Sequence, residues 1–108
     1  MKIRYKVWIE KDGEPLLSYG KYLLLKEVDK TGSIRKAAEN LKISYKKAHS
    51  YIKLTEKRFG KKLFVRLRGK GTLLTDEGKK LLEAYERILK MFEDTAQNAE
   101  KIFQNRTL

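Results

Sequence analysis

The prediction of the fold begins from residues 31–60, TGSIRKAAENLKISYKKAHSYIKLTEKRFG. This stretch contains two serines suited to capping helices, because a serine hydroxyl accepts an otherwise unpaired first-turn amide. Ser33 predicts a helix from Ile34 to about Leu41, and Ser44 predicts a second helix that ends before Gly60. Two helices joined by so short a turn form a helix-turn-helix unit.

The second helix of this pair, residues 44–59, has two faces of opposite character. At ~3.6 residues per turn, one face carries Ala48, Ile52, Thr55 and Phe59. The opposite face carries Lys46, Ser50, Lys53 and Lys57. A helix fits the major groove of DNA when its apolar face packs on its own domain and its polar, cationic face points outward. The pattern therefore predicts a recognition helix.

A basic hairpin follows the helix pair. Residues 63–67 are expected to form a strand, residues 68–71 (RGKG) a flexible turn, and residues 72–74 the returning strand. This hairpin makes the unit a winged helix, with Arg66, Arg68 and Lys70 on the wing, residues 66–72. Such residues suit DNA backbone or minor-groove contacts, and the wing's glycines allow a close backbone approach.

The N-terminal flank predicts a second hairpin. Residues 2–10 alternate charged and apolar side chains, as a half-buried strand does, and Asp12-Gly13 is a strong hairpin turn. The returning strand, residues 14–17, is expected at an edge because Pro15 lacks a backbone donor. Ser18 then caps a helix over residues 19–30.

A long C-terminal helix completes the prediction. Thr75 caps it, and it runs from Asp76 to about Phe103, with residues 104–108 expected to fray. Its apolar residues follow a heptad seam, which favours pairing with a second copy. The expected dimer interface comprises Leu81, Tyr85, Ile88, Leu89, Phe92, Ala96, Ala99 and Phe103. The fold class is thus mainly α with small β elements, a DNA-binding domain over residues 1–75 joined in one unit to a dimerisation helix over residues 76–108.

The charge of the chain predicts a polyanionic partner. Its 108 residues include 26 Lys and Arg against 14 Asp and Glu, a net charge of +12. Residues 33–71 alone hold 13 basic and two acidic residues, so nearly all of the excess lies in the helix pair and the wing. Double-stranded DNA is the partner expected for a cationic helix-turn-helix.

The cationic residues are expected to divide the work. The N-terminal turns of a recognition helix read bases, whereas lysines further along, such as Lys53 and Lys57, and also Arg58, meet phosphate. Free amides at helix N-termini also bind phosphate. The expected DNA-binding set is Ser33, Arg35, Ser44, Tyr45, Lys46, Lys47, His49, Ser50, Lys53, Lys57, Arg66, Arg68 and Lys70.

Several function classes are excluded by composition. The chain has no Cys and a single His, His49, so no disulfide, thiolate metal site or catalytic constellation is expected, and no cofactor. The longest apolar run, residues 22–25, falls far short of the ~20 residues that span a membrane. No secretory signal is visible, so a cytoplasmic protein is expected.

Residues 31–38 (TGSIRKAA) and 43–48 (ISYKKA) resemble the N-terminal DNA-binding domain of ModE-type, molybdate-responsive regulators. With residues 60–66 (GKKLFVR) and 74–78 (LTDEG), they also resemble the wider LysR-type winged-helix group. The resemblance implies a dimeric transcription regulator in which Ser44, Tyr45 and Lys46 begin the recognition helix and the long helix dimerises. ModE-type proteins continue into an oxyanion-binding domain. Since this sequence ends at Leu108, molybdate sensing and an oxyanion cofactor are not expected.

Two other functions remain open. An architectural DNA-binding protein with weak specificity would explain why lysine outnumbers arginine, the better bidentate base reader, in the basic segment. A winged helix that binds another protein would use the long helix and the hairpin, but it leaves the basic segment without a partner. Sequence-specific binding of double-stranded DNA as a homodimer is the leading interpretation.

Overall fold

A computed structural model describes residues 1–104 as four helices and two antiparallel hairpins. The strands are β1 (Ile9–Lys11), β2 (Glu14–Leu17), β3 (Phe64–Leu67) and β4 (Gly71–Leu74). The helices are α1 (Tyr19–Thr31), α2 (Ile34–Leu41), α3 (Tyr45–Phe59) and α4 (Asp76–Gln104). β1 pairs with β2, and β3 with β4. This order confirms the predicted winged helix-turn-helix with an N-terminal hairpin and a long C-terminal helix.

Serine caps begin the first three helices, as the sequence predicts. The hydroxyls of Ser18, Ser33 and Ser44 each accept the backbone amide three residues further on. Between α2 and α3, Lys42 adopts a left-handed conformation with φ of 59°, and its amide closes the end of α2. The turn of the helix-turn-helix is therefore only residues 42–44.

The core joins the helix pair to α1, the hairpins and the beginning of α4. Three small residues of α2 and α3, Ala37, Ala38 and Ala48, are at most 2% exposed, which lets the helices approach closely. The larger buried apolar residues around them are Leu16, Leu17, Leu24, Leu25, Val28, Ile52, Leu63, Phe64, Leu81, Leu82 and Tyr85. The recognition helix is thus held from behind by a continuous apolar cluster.

Residues 1–8 differ from the predicted strand. β1 begins only at Ile9, and the preceding segment, defined here as the N-terminal arm, runs along α4. The Tyr85 hydroxyl donates to the Val7 carbonyl at 2.7 Å, and the Ile3 amide donates to Glu100 Oε2 at 2.9 Å. The alternating pattern therefore belongs to an extended segment with half-buried side chains near a helix, not to a sheet strand.

α4 leaves the core part-way along its length. Leu81, Leu82 and Tyr85 are buried, whereas Met91 and Ile102 are 69% and 59% exposed. The described residues extend over 60 × 30 × 21 Å, so the second half of α4 projects. The expectation that Leu81 and Tyr85 lie at a dimer interface is wrong, because both side chains are enclosed within this chain's own core.

The end of α4 differs slightly from its predicted position. The helix continues through Gln104, which was expected to fray, and the rest of that expectation, residues 105–108, lies outside the described range.

On the side of α4 that faces α1, the Tyr22 hydroxyl donates to the Glu86 carboxylate, and Lys26 Nζ lies 3.2 Å from that carboxylate. The tyrosine's hydrogen bond, opposed by burial and aided by Lys26, lowers the pKa of Glu86. Burial and the same hydrogen bond raise the pKa of Tyr22.

Candidate nucleic-acid interface

The outward face of α3 is a stripe of exposed polar and cationic side chains. On its inward face, Ala48, Ile52 and Thr55 are at most 3% exposed, which confirms the predicted orientation of the helix, and Phe59 is half-buried. The outward residues, all exposed, are Lys46, Ser50, Lys53 and Lys57. The stripe is exposed along its whole length, so it is available to a partner.

The N-terminal turn of α3 gathers three of the expected site residues. The Arg35 guanidinium, from α2, lies 4.4 Å from the centroid of the Tyr45 ring, within the range of a cation–π contact. The Tyr45 and His49 rings lie 5.8 Å apart and tilted. Arg35 thereby extends the cationic surface from α3 onto α2. Lys47 points to another side of α3, with its Nζ 6.0 Å from the Tyr51 ring.

Both helices of the pair present N-terminal amides beside these side chains. The Ser33 hydroxyl accepts the amide of Lys36, and the Ser44 hydroxyl accepts that of Lys47, so both serines act as caps. The first backbone hydrogen bond of α3 runs from Ala48, which leaves earlier amides without an intrahelical acceptor. Such amides suit a phosphate oxygen.

Two clefts separate α3 from the wing. The larger has a volume of about 460 Å³ and is lined by Tyr45, His49, Lys53 and Arg66, among others. The smaller, about 200 Å³, is bordered by Ser33, Arg35, Tyr45 and Arg66. Arg66 therefore borders both clefts from the side of the wing, and six of the expected site residues share this region.

The wing carries its remaining cations at an exposed tip. Arg68 and Lys70 are exposed and lie between β3 and β4, where neither borders the two clefts. The wing's base is fixed, because the Thr72 amide donates to the Gly32 carbonyl at 2.9 Å. A Cβ on Gly71 would lie 2.7 Å from that carbonyl oxygen, so a side chain there would separate the wing from the helices. The base of the wing is thus held against the residue that ends α1.

Arg58, expected at phosphate, has a different role. Its guanidinium donates to the Pro15 carbonyl at 2.7 Å and lies 3.1 Å from the Glu14 carboxylate. It therefore fastens α3 to the β1–β2 hairpin, so its guanidinium is engaged within the chain and Arg58 is not included in the proposed DNA contacts.

Glu56 was missed by sequence reasoning. Its side chain is 8% exposed and accepts the amides of Leu63 and Phe64 at 2.8 and 3.4 Å. A signal was present, since its position in the helical repeat places it beside the inward stripe of α3, where an acid is unusual. Its carboxylate links the recognition helix to the start of β3.

The same arrangement of helices and wing defines a known family. The profile of the bacterial regulatory helix-turn-helix proteins of the lysR family matches residues 21–79, from α1 to the first turn of α4. The chain belongs to the LysR family.

A curated relative and two solved structures are similar to this chain. The chain is 35% identical over 89 residues to the transcriptional regulator ModE of Haemophilus influenzae, a match that covers 79% of this chain. A LysR-family regulator from Eggerthella lenta is 28% identical, with a TM-score of 0.57 over 65% of this chain and 99% of that one. The DNA-binding domain of CbnR, solved as a complex with DNA, shares the fold at 22% identity, with a TM-score of 0.65 over 80% of this chain and 98% of that one.

The chain spans about a third of the length of its ModE relative, 33%. Among residues 1–104, no helix is both long and apolar enough to cross a membrane. Within the same range, no three His, Asp or Glu side chains gather in a way that could hold a metal ion.

Proposed function

We propose that this LysR-family chain is a sequence-specific transcription regulator that binds double-stranded DNA as a homodimer. In this proposal α3 enters the major groove. The wing, residues 66–72, meets the adjacent backbone or minor groove. The regulator acts in the cytoplasm, is not an enzyme and needs no cofactor for binding.

The observation that carries the proposal is the continuous cationic surface on one side of the molecule. It combines the outward stripe of α3, the N-terminal amides of α2 and α3, and the wing residue Arg66, which borders the clefts beside both helices. A surface of this shape and sign is the electrostatic footprint of a DNA-binding protein. The likeness to a domain solved with DNA supports the same interpretation.

Different parts of the surface have different tasks in this proposal. The first turns of α3 read base edges, and the cations further along α3, on α2 and on the wing position the protein on phosphates. Base contacts are assigned to Tyr45, Lys46, His49 and Ser50. Backbone contacts are assigned to Ser33, Arg35, Ser44, Lys47, Lys53, Lys57, Arg66, Arg68 and Lys70.

The dimer contact is assigned to the projecting part of α4. Phe92 is 48% exposed there and stacks on Tyr5 of the N-terminal arm, with ring centroids 6.1 Å apart. Exposed Met91 and Ile102 extend the apolar surface beside it. The proposed interface consists of Ile88, Leu89, Phe92, Ala96, Ala99 and Phe103, widened by Met91 and Ile102. Twofold pairing would present two recognition helices to half-sites ~34 Å apart.

The proposal is tested by capturing fragmented genomic DNA on the purified protein near physiological salt and sequencing what is retained. A recurring inverted repeat is the expected result, because a dimer reads two symmetric half-sites. Uniform retention would instead favour an architectural DNA-binding protein. If no DNA were retained, the proposed function would be wrong and a protein-binding winged helix would replace it.

A further inference from the structure

Glu56 is an acid buried in the most basic part of the molecule. Only it and Glu39 are acidic among residues 33–71. Its Oε2 accepts the amide of Leu63 at 2.8 Å and that of Phe64 at 3.4 Å. Because these amides lie at the start of the β3–β4 hairpin that carries the wing, the carboxylate fixes the base of that hairpin to α3.

The other oxygen of Glu56 lacks a hydrogen bond. Oε1 is buried without a hydrogen-bond partner among the described residues, and Lys53 Nζ lies 3.6 Å away as an ion pair. Lys53 keeps 54% of its side chain exposed, on the stripe proposed to face DNA. Glu56 thus accepts hydrogen bonds from the start of the β3–β4 hairpin and forms an ion pair with Lys53, which lies on the surface proposed to face DNA.

The charge of Glu56 also acts on the space around it. It is the acid among the lining residues of the 460 Å³ cleft and of a neighbouring cleft of about 350 Å³, where Lys53 and Lys62 also lie. A phosphate that entered either cleft would gain attraction from the lysines and repulsion from the carboxylate. Its negative charge therefore weakens phosphate binding in both clefts and partly neutralises Lys53.

We infer that Glu56 is a positioning residue that sets DNA specificity by tying the wing, α3 and Lys53 into one geometry while limiting non-specific attraction to phosphate. The inference rests on the proposed function. It assigns to a residue outside the DNA contact surface the task of separating target from random DNA.

The test compares the unmodified protein with Glu56→Gln on a captured target duplex and on a scrambled duplex of equal length, over a range of salt. Glutamine keeps the size and one acceptor but loses the charge. Affinity for the target is expected to fall and that for scrambled DNA to rise, so that their ratio drops about tenfold. The salt dependence on scrambled DNA should steepen by about one, because Lys53 becomes a free cation. Parallel losses on both duplexes, or no change, would overturn the inference.

Glu39→Gln is the matched control, because it removes the same charge from an exposed position on α2. It should leave the target-to-scrambled ratio unchanged. An equal drop in that ratio for Glu39→Gln would mean that net charge, not the position of Glu56, is responsible. If the unmodified protein bound neither duplex, the failure would lie with the proposed function itself.

A second pair of variants does not depend on altering Glu56. Lys53 and Lys57 are exposed on the same stripe of α3, but the ion pair to Glu56 involves Lys53. Lys57→Gln should flatten the salt dependence by about one, and Lys53→Gln by clearly less, since its charge is already partly neutralised. Equal flattening by both variants would contradict the inference even if Glu56→Gln failed to fold.

Discussion

Gly78 shows how a single residue without a side chain fixes the position of α4 against the wing. Its amide donates to the Thr75 hydroxyl at 3.0 Å, which caps the helix. A Cβ at Gly78 would lie 2.5 Å from the Leu63 carbonyl oxygen and 2.9 Å from Leu74 Cδ2. The first of these is a backbone atom that cannot rotate away. The close approach of α4 to the wing therefore requires glycine here.

Replacing Gly78 with alanine should destabilise the protein. The new methyl group must move backbone that the core holds in place, and the expected loss in the free energy of unfolding is about 2–3 kcal/mol. Urea unfolding of the variant measures this loss. Gly20→Ala is the matched control, since a Cβ on that helical glycine meets nothing within 4 Å. The control should be neutral or stabilising by up to ~1 kcal/mol, and equal losses in the two variants would show that crowding at Gly78 is not the cause.

At the scale of elements, local chemistry decided most of what the sequence could predict. Ser33 and Ser44 cap their helices through contacts with amides only three residues away. The spacing of the apolar residues identifies the inward face of α3. The helix starts and the inward face could therefore be predicted from the sequence alone. Tertiary partners decided the rest. The N-terminal arm looks like a strand but follows α4 because Tyr85 and Glu100 supply its hydrogen bonds. No local pattern reveals such distant partners.

The candidate site divides in the same way. Exposed lysines such as Lys46 were predictable, because helical periodicity alone places them opposite the core. Arg58 was not, since its acceptors lie on a hairpin 43 residues away in the chain. Side chains that join two elements depend on packing that spacing cannot supply. Glu56 was partly predictable. Its position in the helical repeat of α3 predicts burial, but it does not reveal which backbone amides donate hydrogen bonds to the carboxylate.

The recognition helix and the wing should respond differently to loss of a lysine. Lys46→Ala is expected to lower the affinity for captured target DNA more than the affinity for scrambled DNA, because the first turns of α3 are proposed to read bases. Lys70→Ala, at the wing tip, should lower the affinity for both duplexes. It should also reduce the slope of log affinity against log salt concentration by about one, as loss of one phosphate contact does. Fluorescence anisotropy at several salt concentrations measures both effects.

Lys101→Ala controls for charge in this comparison, because it removes one cation near the far end of α4. It should change neither the affinity for the two duplexes nor the salt dependence of binding. Equal losses on target and scrambled DNA for Lys46→Ala would contradict base reading by that residue. If Lys70→Ala lowered the affinity for target DNA alone, the wing rather than α3 would contain residues that read bases.

At the scale of the whole molecule, α4 serves two surfaces at once. Its first turns complete the core through Leu82 and Tyr85, and the N-terminal arm covers one side of the projecting part through Ile3 and Val7. Another side remains exposed at Met91 and Ile102. A dimer formed there would extend onto Phe92, which the arm already contacts through Tyr5, and would fix the distance between two recognition helices.

The double substitution Met91→Asp with Ile102→Asp should therefore separate the proposed dimer without unfolding the monomer. Both side chains are more than half exposed, so the charges do not enter the core, but they would be desolvated in a dimer. Sedimentation velocity should show the mass of one chain and circular dichroism an unchanged helix content. Gln97→Asp with Gln104→Asp adds the same charge on the opposite side of α4 and should remain dimeric. If the first variant also sedimented as a dimer, Met91 and Ile102 would lie outside the interface, and this side of α4 would not set the spacing of half-sites in captured DNA.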